Sequence, residues 1–175
     1  MVEDAQSGKA AAQRLADLVA PTGAHLAWNP EFLREGFAVK DTLEPDRFVY
    51  GVPRLADGTL DQAAVTVLDE VYAQPLEVGM PRLVTDYATA ELVKVAANAF
   101  LATKISFINA MAEVCEIVDA DVVTLSRALG FDDRIGKRFL NAGLGFGGGC
   151  LPKDIRAFSA RAGELGASDA LRFLH

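Results

Sequence analysis

From residue 86 to residue 117 the chain contains neither glycine nor proline. A run that long, rich in Ala, Leu and Val, reads as one helix of about 45 Å at ~1.5 Å per residue, longer than globular helices usually are. Its apolar positions include Leu92, Val95, Ala96, Ala99, Phe100, Ile105, Phe107, Ile108, Met111, Val114 and Val118, and they occupy more than one stripe. A helix that is apolar on several sides needs partners on several sides, and a second copy of the chain is one such partner. Lys94, Asn98, Lys104, Glu113 and Glu116 interrupt the stretch, too many polar groups for a lipid-facing span.

Around this helix the pattern divides the chain at 84/85. Before it, residues 8–20 read as a helix closed by Pro21-Thr22-Gly23, and 24–28 as a short strand broken by Asn29-Pro30. Residues 47–52 form a second strand. A helix follows over 60–73 with Leu60, Ala64, Val67, Leu68 and Val71 on one face, and then extended pieces at 75–78 and 82–84. After residue 85 only helices are expected. One runs from Asp121 to Leu129 with Gly130 as its stop, one covers 152–165 before Gly166, and a last one opens at Ser168-Asp169. The fold class is therefore an α/β piece of partial β/α units followed by an all-α bundle. The chain opens on a helix with no strand before it and stops inside a helix at His175, the expected look of an internal fragment.

With 51% hydrophobic and 23% charged residues the chain is globular rather than disordered. A net charge of −7 argues against nucleic acid and against an anionic membrane surface as partners. The two cysteines, Cys115 and Cys150, lack a CxxC or other metal-type spacing. Neither a disulfide framework nor a zinc site is expected, and a reduced, cytoplasmic setting follows. The acidic start Met1-Val2-Glu3-Asp4 carries no secretory signal.

The chemistry concentrates in the run Gly143-Leu144-Gly145-Phe146-Gly147-Gly148-Gly149-Cys150-Leu151-Pro152-Lys153-Asp154. Five glycines in seven positions leave a backbone that a ligand can approach closely. Pro152 suits a first helical turn, which puts Cys150 at a helix N-terminus where the dipole favours a thiolate, with Lys153 adding positive charge. Three pairs at i, i+4 spacing share a face: Lys94 with Asn98, Glu31 with Glu35, and Cys150 with Asp154. Each also reads plainly as a solvated helix face, a surface turn or a favourable first-turn acid. Gly143, Gly145 and Gly148 match G-x-G-x-x-G, but no strand precedes them, so they are not a dinucleotide fingerprint. Cys115 reads as a packed core thiol. His25 and His175 lack companions at metal-ligand spacing.

Four segments in this order, NPEFLREG at 29–36, ELVKVAANAFLATKISFINAMAEVCE at 91–116, DDRIGKRFLNAG at 132–143 and GFGGGCLPKD at 145–154, resemble the UDP-glucose/GDP-mannose dehydrogenase family, and its UDP-glucose branch more than its GDP-mannose branch. The resemblance implies NAD as cofactor and a four-electron oxidation of UDP-glucose to UDP-glucuronate through a cysteine thiohemiacetal and thioester. It makes Cys150 the nucleophile. Lys94 and Asn98 become the groups that stabilise the substrate oxygen and orient water, Asp154 an aid to proton transfer, and Glu31 the general base. It implies substrate contacts from Phe32, Leu33, Arg34 and Glu35, from Phe139, Leu140, Asn141, Ala142 and Gly143, and from Gly147. Arg134 would enter the site of a neighbouring subunit in a homodimer built on the long helix. Glu35 and Lys153 would face the cofactor. Residues 1–84 would be the end of the NAD-binding Rossmann-like domain, and 85–175 the central dimerisation domain. Gly149 and Leu151 stand where many relatives carry serine and phenylalanine, and the true fingerprint and the terminal nucleotide-binding domain are absent. The fragment alone would be inactive. The rivals are a dehydrogenase of GDP-mannose or an N-acetylated UDP-sugar, and a helical dimerisation module without catalysis.

Overall fold

The computed structural model describes residues 11–145 and 149–174. The chain divides into two compact units, one ending at Lys94 and one starting at Val95.

In the first unit, helix α1 (Ala11–Val19) runs into a 3₁₀ turn at Ala20–Thr22 and ends at Gly23, whose φ of 77° is the left-handed value glycine accepts freely. Helix α2 (Ala38–Leu43) leads to strand β1 (Phe48–Val52), every residue of which is buried. β1 pairs in parallel with β2 (Arg82–Asp86), Phe48 opposite Arg82 and Val52 opposite Asp86. A parallel pair needs a crossover. Helices α3 (Gln62–Val71) and α4 (Ala73–Glu77) supply it. Asp61 caps α3 by accepting the Ala63 N–H at 2.9 Å. Phe48, Tyr50, Val52, Ala64 and Val65 form the core, with the Phe48 and Tyr72 rings stacked at 4.4 Å. Burial, with Asp69 nearby, pushes the Tyr50 hydroxyl up to about 12.

Helix α5 (Tyr87–Val118) is the long helix expected from the glycine- and proline-free run. Asp86 caps its start, accepting the Thr89 N–H at 2.9 Å, and that bond with Arg54 nearby lowers its pKa. By length and composition α5 could cross a membrane. Four of its polar residues nevertheless have partners within the protein. Lys94 pairs with Glu31 and Asn98 with Asp154, while Lys104 meets backbone carbonyls and Asn109 a backbone N–H. In the second unit α6 (Val122–Gly130) is capped by Asp121, which accepts from Val123 and Thr124 at 3.0 Å each. Helix α7 (Leu151–Glu164) follows, and a 3₁₀ segment covers Ser168–Leu174.

Several expectations need correction. Residues 24–28 make no strand; Trp28 alone among them bridges to β1, through an isolated antiparallel bridge to Gly51. Residues 75–78 are not extended, because Pro75 sits early in the five-residue α4, where its missing N–H costs nothing. On α3 the core side is Ala64, Val65 and Leu68, while Val67 and Val71 are exposed. The last segment is 3₁₀ rather than α-helical. On α5 Tyr87, Ala90, Ala99, Ala102, Ile108 and Cys115 are buried, while Leu92, Phe100, Phe107, Val114, Ile117 and Val118 are exposed. The expected start of the first helix at residues 8–10 lies outside the described residues.

Candidate active site

In the second unit α7 begins one residue after Cys150, with Pro152 in its first turn. Cys150 is exposed, and the Asp154 N–H donates to its carbonyl at 2.9 Å, closing the turn that carries both side chains. The Asp154 carboxylate is largely covered. It accepts from the Asn98 amide at 2.7 Å through one oxygen, and the Lys153 ammonium stands 3.6 Å from the other. Asn98, Asp154, Cys150 and Lys153 are thus brought together by α5 and the head of α7. The arrangement offers an accessible thiol and, one turn away, a carboxylate oriented by an amide. Thiol capture of an electrophile and carboxylate-assisted proton transfer to a water are both within its means.

The arc at 139–143 belongs to the same unit. Leu140 is buried at 2% exposure, so its side chain serves the core; Phe139, Asn141, Ala142 and Gly143 are exposed. Arg134 points to solvent at 90% side-chain exposure and pairs with Asp132 on its own turn at 2.6 Å, which lowers the Asp132 carboxyl. Gly147 lies outside the described residues.

In the first unit the segment 29–34 lines a cavity of about 240 Å³ together with Asp41, Thr42, residues 45–48 and Tyr72. Lys94 stands 3.4 Å from Glu31, whose other oxygen accepts the Leu33 N–H at 2.7 Å. The Arg47 guanidinium lies 4.0 Å and the Lys94 ammonium 5.4 Å from the centre of the Phe32 ring. Arg34 does not face the cavity as a free cation. Its backbone N–H, Nε and Nη2 all donate to the buried Asp41, at 2.8, 2.9 and 2.5 Å, and hold that carboxyl down to about 2. Glu35 is exposed just before Gly36. Among the described residues no cluster of His, Cys, Asp and Glu converges to hold a metal ion.

Asp41 and Asn109 were not singled out in the sequence. Asp41 reads there as one more surface acid, and its only hint is a position seven residues after Arg34. Asn109 was visible as an amide inside an apolar helical run, a group that requires a partner.

Residues 4–76 match the NAD-binding domain of the UDP-glucose/GDP-mannose dehydrogenase family, and residues 88–174 match its central domain. The chain belongs to this family. It is 52% identical over 135 residues to a UDP-glucose 6-dehydrogenase of Rickettsia typhi, covering 77% of this chain and 30% of that protein. A UDP-glucose dehydrogenase structure from Pyrobaculum islandicum superposes with a TM-score of 0.76 at 42% identity, over 86% of this chain and 33% of the other. The GDP-mannose dehydrogenase of Pseudomonas aeruginosa superposes at 0.53 with 31% identity, over 81% of this chain and 30% of the other. The chain therefore spans about a third of the length of the relatives it matches. NAD is the cofactor that its first domain serves in this family.

Proposed function

We propose that the chain carries the nucleophile and part of the substrate site of an NAD-dependent UDP-glucose 6-dehydrogenase, in a polypeptide that supplies the rest of the NAD-binding domain. The observation that carries this reading is the 2.7 Å bond from Asn98 to Asp154, one helical turn from the exposed Cys150. Identity is higher to the UDP-glucose enzymes than to the GDP-mannose enzyme, which favours UDP-glucose over the other nucleotide sugars. Domain boundaries at 1–84 and 85–175 and a cytoplasmic location belong to the same proposal.

The parallel pair β1–β2, buried along β1 and ending at Val52 and Asp86, fits the open sheet of a dinucleotide domain, where ligands lie beyond the carboxyl ends. Glu35 and Lys153 would hold the cofactor, and two NAD, bound one after the other, would each accept one hydride. Cys150, as thiolate, adds to the C6 aldehyde and retains it as a thiohemiacetal; loss of the second hydride leaves a thioester. Water then cleaves the C–S bond and releases the carboxylate and the thiol. Asp154, oriented by Asn98, takes up and returns the proton that moves with each oxygen. Lys94 offsets negative charge on the substrate oxygen. Glu31, already 3.4 Å from Lys94, removes a proton from the hydrolytic water. The backbone of 32–34 and the arc 139–143 with Gly147 hold the sugar nucleotide, and Arg134 completes the site of a partner subunit.

Exposed Phe100, Phe107, Val114 and Ile117 form the seam on α5 that we assign to a homodimer, the first three spaced seven apart. The isolated 175-residue chain is expected to form no NADH. The test is NADH formation by the polypeptide that carries this segment in its source cell. UDP-glucose should yield two NADH per UDP-glucuronate, and Cys150→Ala should abolish turnover. Oxidation of GDP-mannose in preference to UDP-glucose, or full activity of the alanine variant, would refute the reading.

A further inference from the structure

The arc at 139–143 contains a conformation the local sequence does not favour. Phe139 has a φ of +64°. A bulky aromatic residue rarely enters this left-handed region, and it persists there only when neighbouring contacts fix it. Two polar side chains on helices grip the arc directly after Phe139. Ser126 of α6 donates its hydroxyl to the carbonyl of Leu140, whose side chain is buried. Asn109 of α5 accepts the Gly143 N–H through Oδ1 at 2.9 Å. On the upstream side Lys104 of α5 donates to the carbonyls of Ile135 and Gly136 at 3.0 and 3.4 Å. Between the two grips Asn141 and Ala142 are exposed.

We propose that Asn109 and Ser126 are positioning residues that hold the arc 139–143 in its left-handed, open shape, so that a bound sugar nucleotide meets a surface already formed. The role given to the arc rests on the dehydrogenase reading above; the two latches themselves do not. A preformed loop loses less conformational freedom on binding than one that must order around its ligand. Both side chains are suited to the task. Each comes from a helix and so has a fixed origin, and each bonds backbone atoms, so the grip is independent of the side chains the arc presents.

The test reads the shape of the arc without any nucleotide. In the labelled chain, backbone shifts and the HN–Hα coupling of Phe139 should report a positive φ, and the Gly143 amide should exchange slowly. In the Ser126→Ala/Asn109→Ala pair, Phe139 should revert to negative φ and the Gly143 amide should exchange about tenfold faster or more, with amides of α5 and α6 unchanged. The Ser126→Thr/Asn109→Asp pair retains a hydroxyl donor and an oxygen acceptor and should preserve both signatures. If the double alanine variant does not fold, Asn109→Ala alone should free the Gly143 amide while Asn109→Asp retains its protection. Positive φ at Phe139 persisting in the alanine pair, or loss of the signatures in the conservative pair, would overturn the proposal. Absence of dehydrogenase activity in the polypeptide that carries this segment, with the latch signatures present, would refute the function and leave the latch standing.

Discussion

Cys115 and Cys150 carry the same thiol in opposite surroundings. Cys115 is 6% exposed on α5, and Cys150 is exposed at the head of α7. Iodoacetamide near pH 7 should therefore modify Cys150 at least about tenfold faster, since reaction requires access as well as a thiolate; equal rates by peptide mass mapping would contradict the placement. Asp41 sets a second expectation. Its carboxyl is held down to about 2 by the Arg34 guanidinium and backbone N–H, against an ordinary 3.8. A depressed folded-state pKa contributes stability that is fully present above the unfolded value and is lost as pH falls through the folded one. The difference in melting temperature between wild type and Asp41→Asn should be constant above about pH 5, shrink between about pH 4 and 2, and vanish below. A difference that does not vary with pH would mean the pair does not form.

At the scale of elements, some signals were local and others were not. Helix α5 was legible because no residue in 86–117 breaks a helix, and α6 because Asp121 and Gly130 mark its ends. The phase of α3 was not. Val65 rather than Val67 faces inward because the helix packs on the Phe48 and Tyr50 side of β1, a contact no spacing reveals. The segment 24–28 has strand-forming residues but finds only one bridge to β1. In the site, the Cys150–Asp154 pair was legible from its spacing. The partners of Asp41 and Asn109 lie seven and 34 residues away, so their roles had to wait for the fold. The joint between β1 and α5 gives a test at this scale. A Cβ on Gly51 would come within 2.6 Å of the Ala90 Cβ and 3.2 Å of Trp28. Gly51→Ala should cost about 1–3 kcal/mol in denaturant unfolding; a neutral result would show that the strand and helix start are not packed that closely. Replacing the α3 cap, Asp61→Ala should cost about 1 kcal/mol and Asp61→Asn much less.

Across the whole molecule the homodimer proposed through the exposed apolar side chains of α5 sets its own test. Light scattering should give a dimer, and Phe107→Glu should shift it to monomer; a wild-type monomer at micromolar concentration would remove the seam from the account. The central claim is that Asn98, Asp154 and Cys150 form a nucleophilic site for a nucleotide-sugar aldehyde. Its most direct measurement is intact-protein mass after single turnover with UDP-glucose and NAD, using an Asp154→Asn variant of the polypeptide that carries this segment. Slowed hydrolysis should leave an acyl adduct of the UDP-sugar mapped to Cys150. Turnover without any adduct in that variant, or an adduct on another residue, would contradict the account.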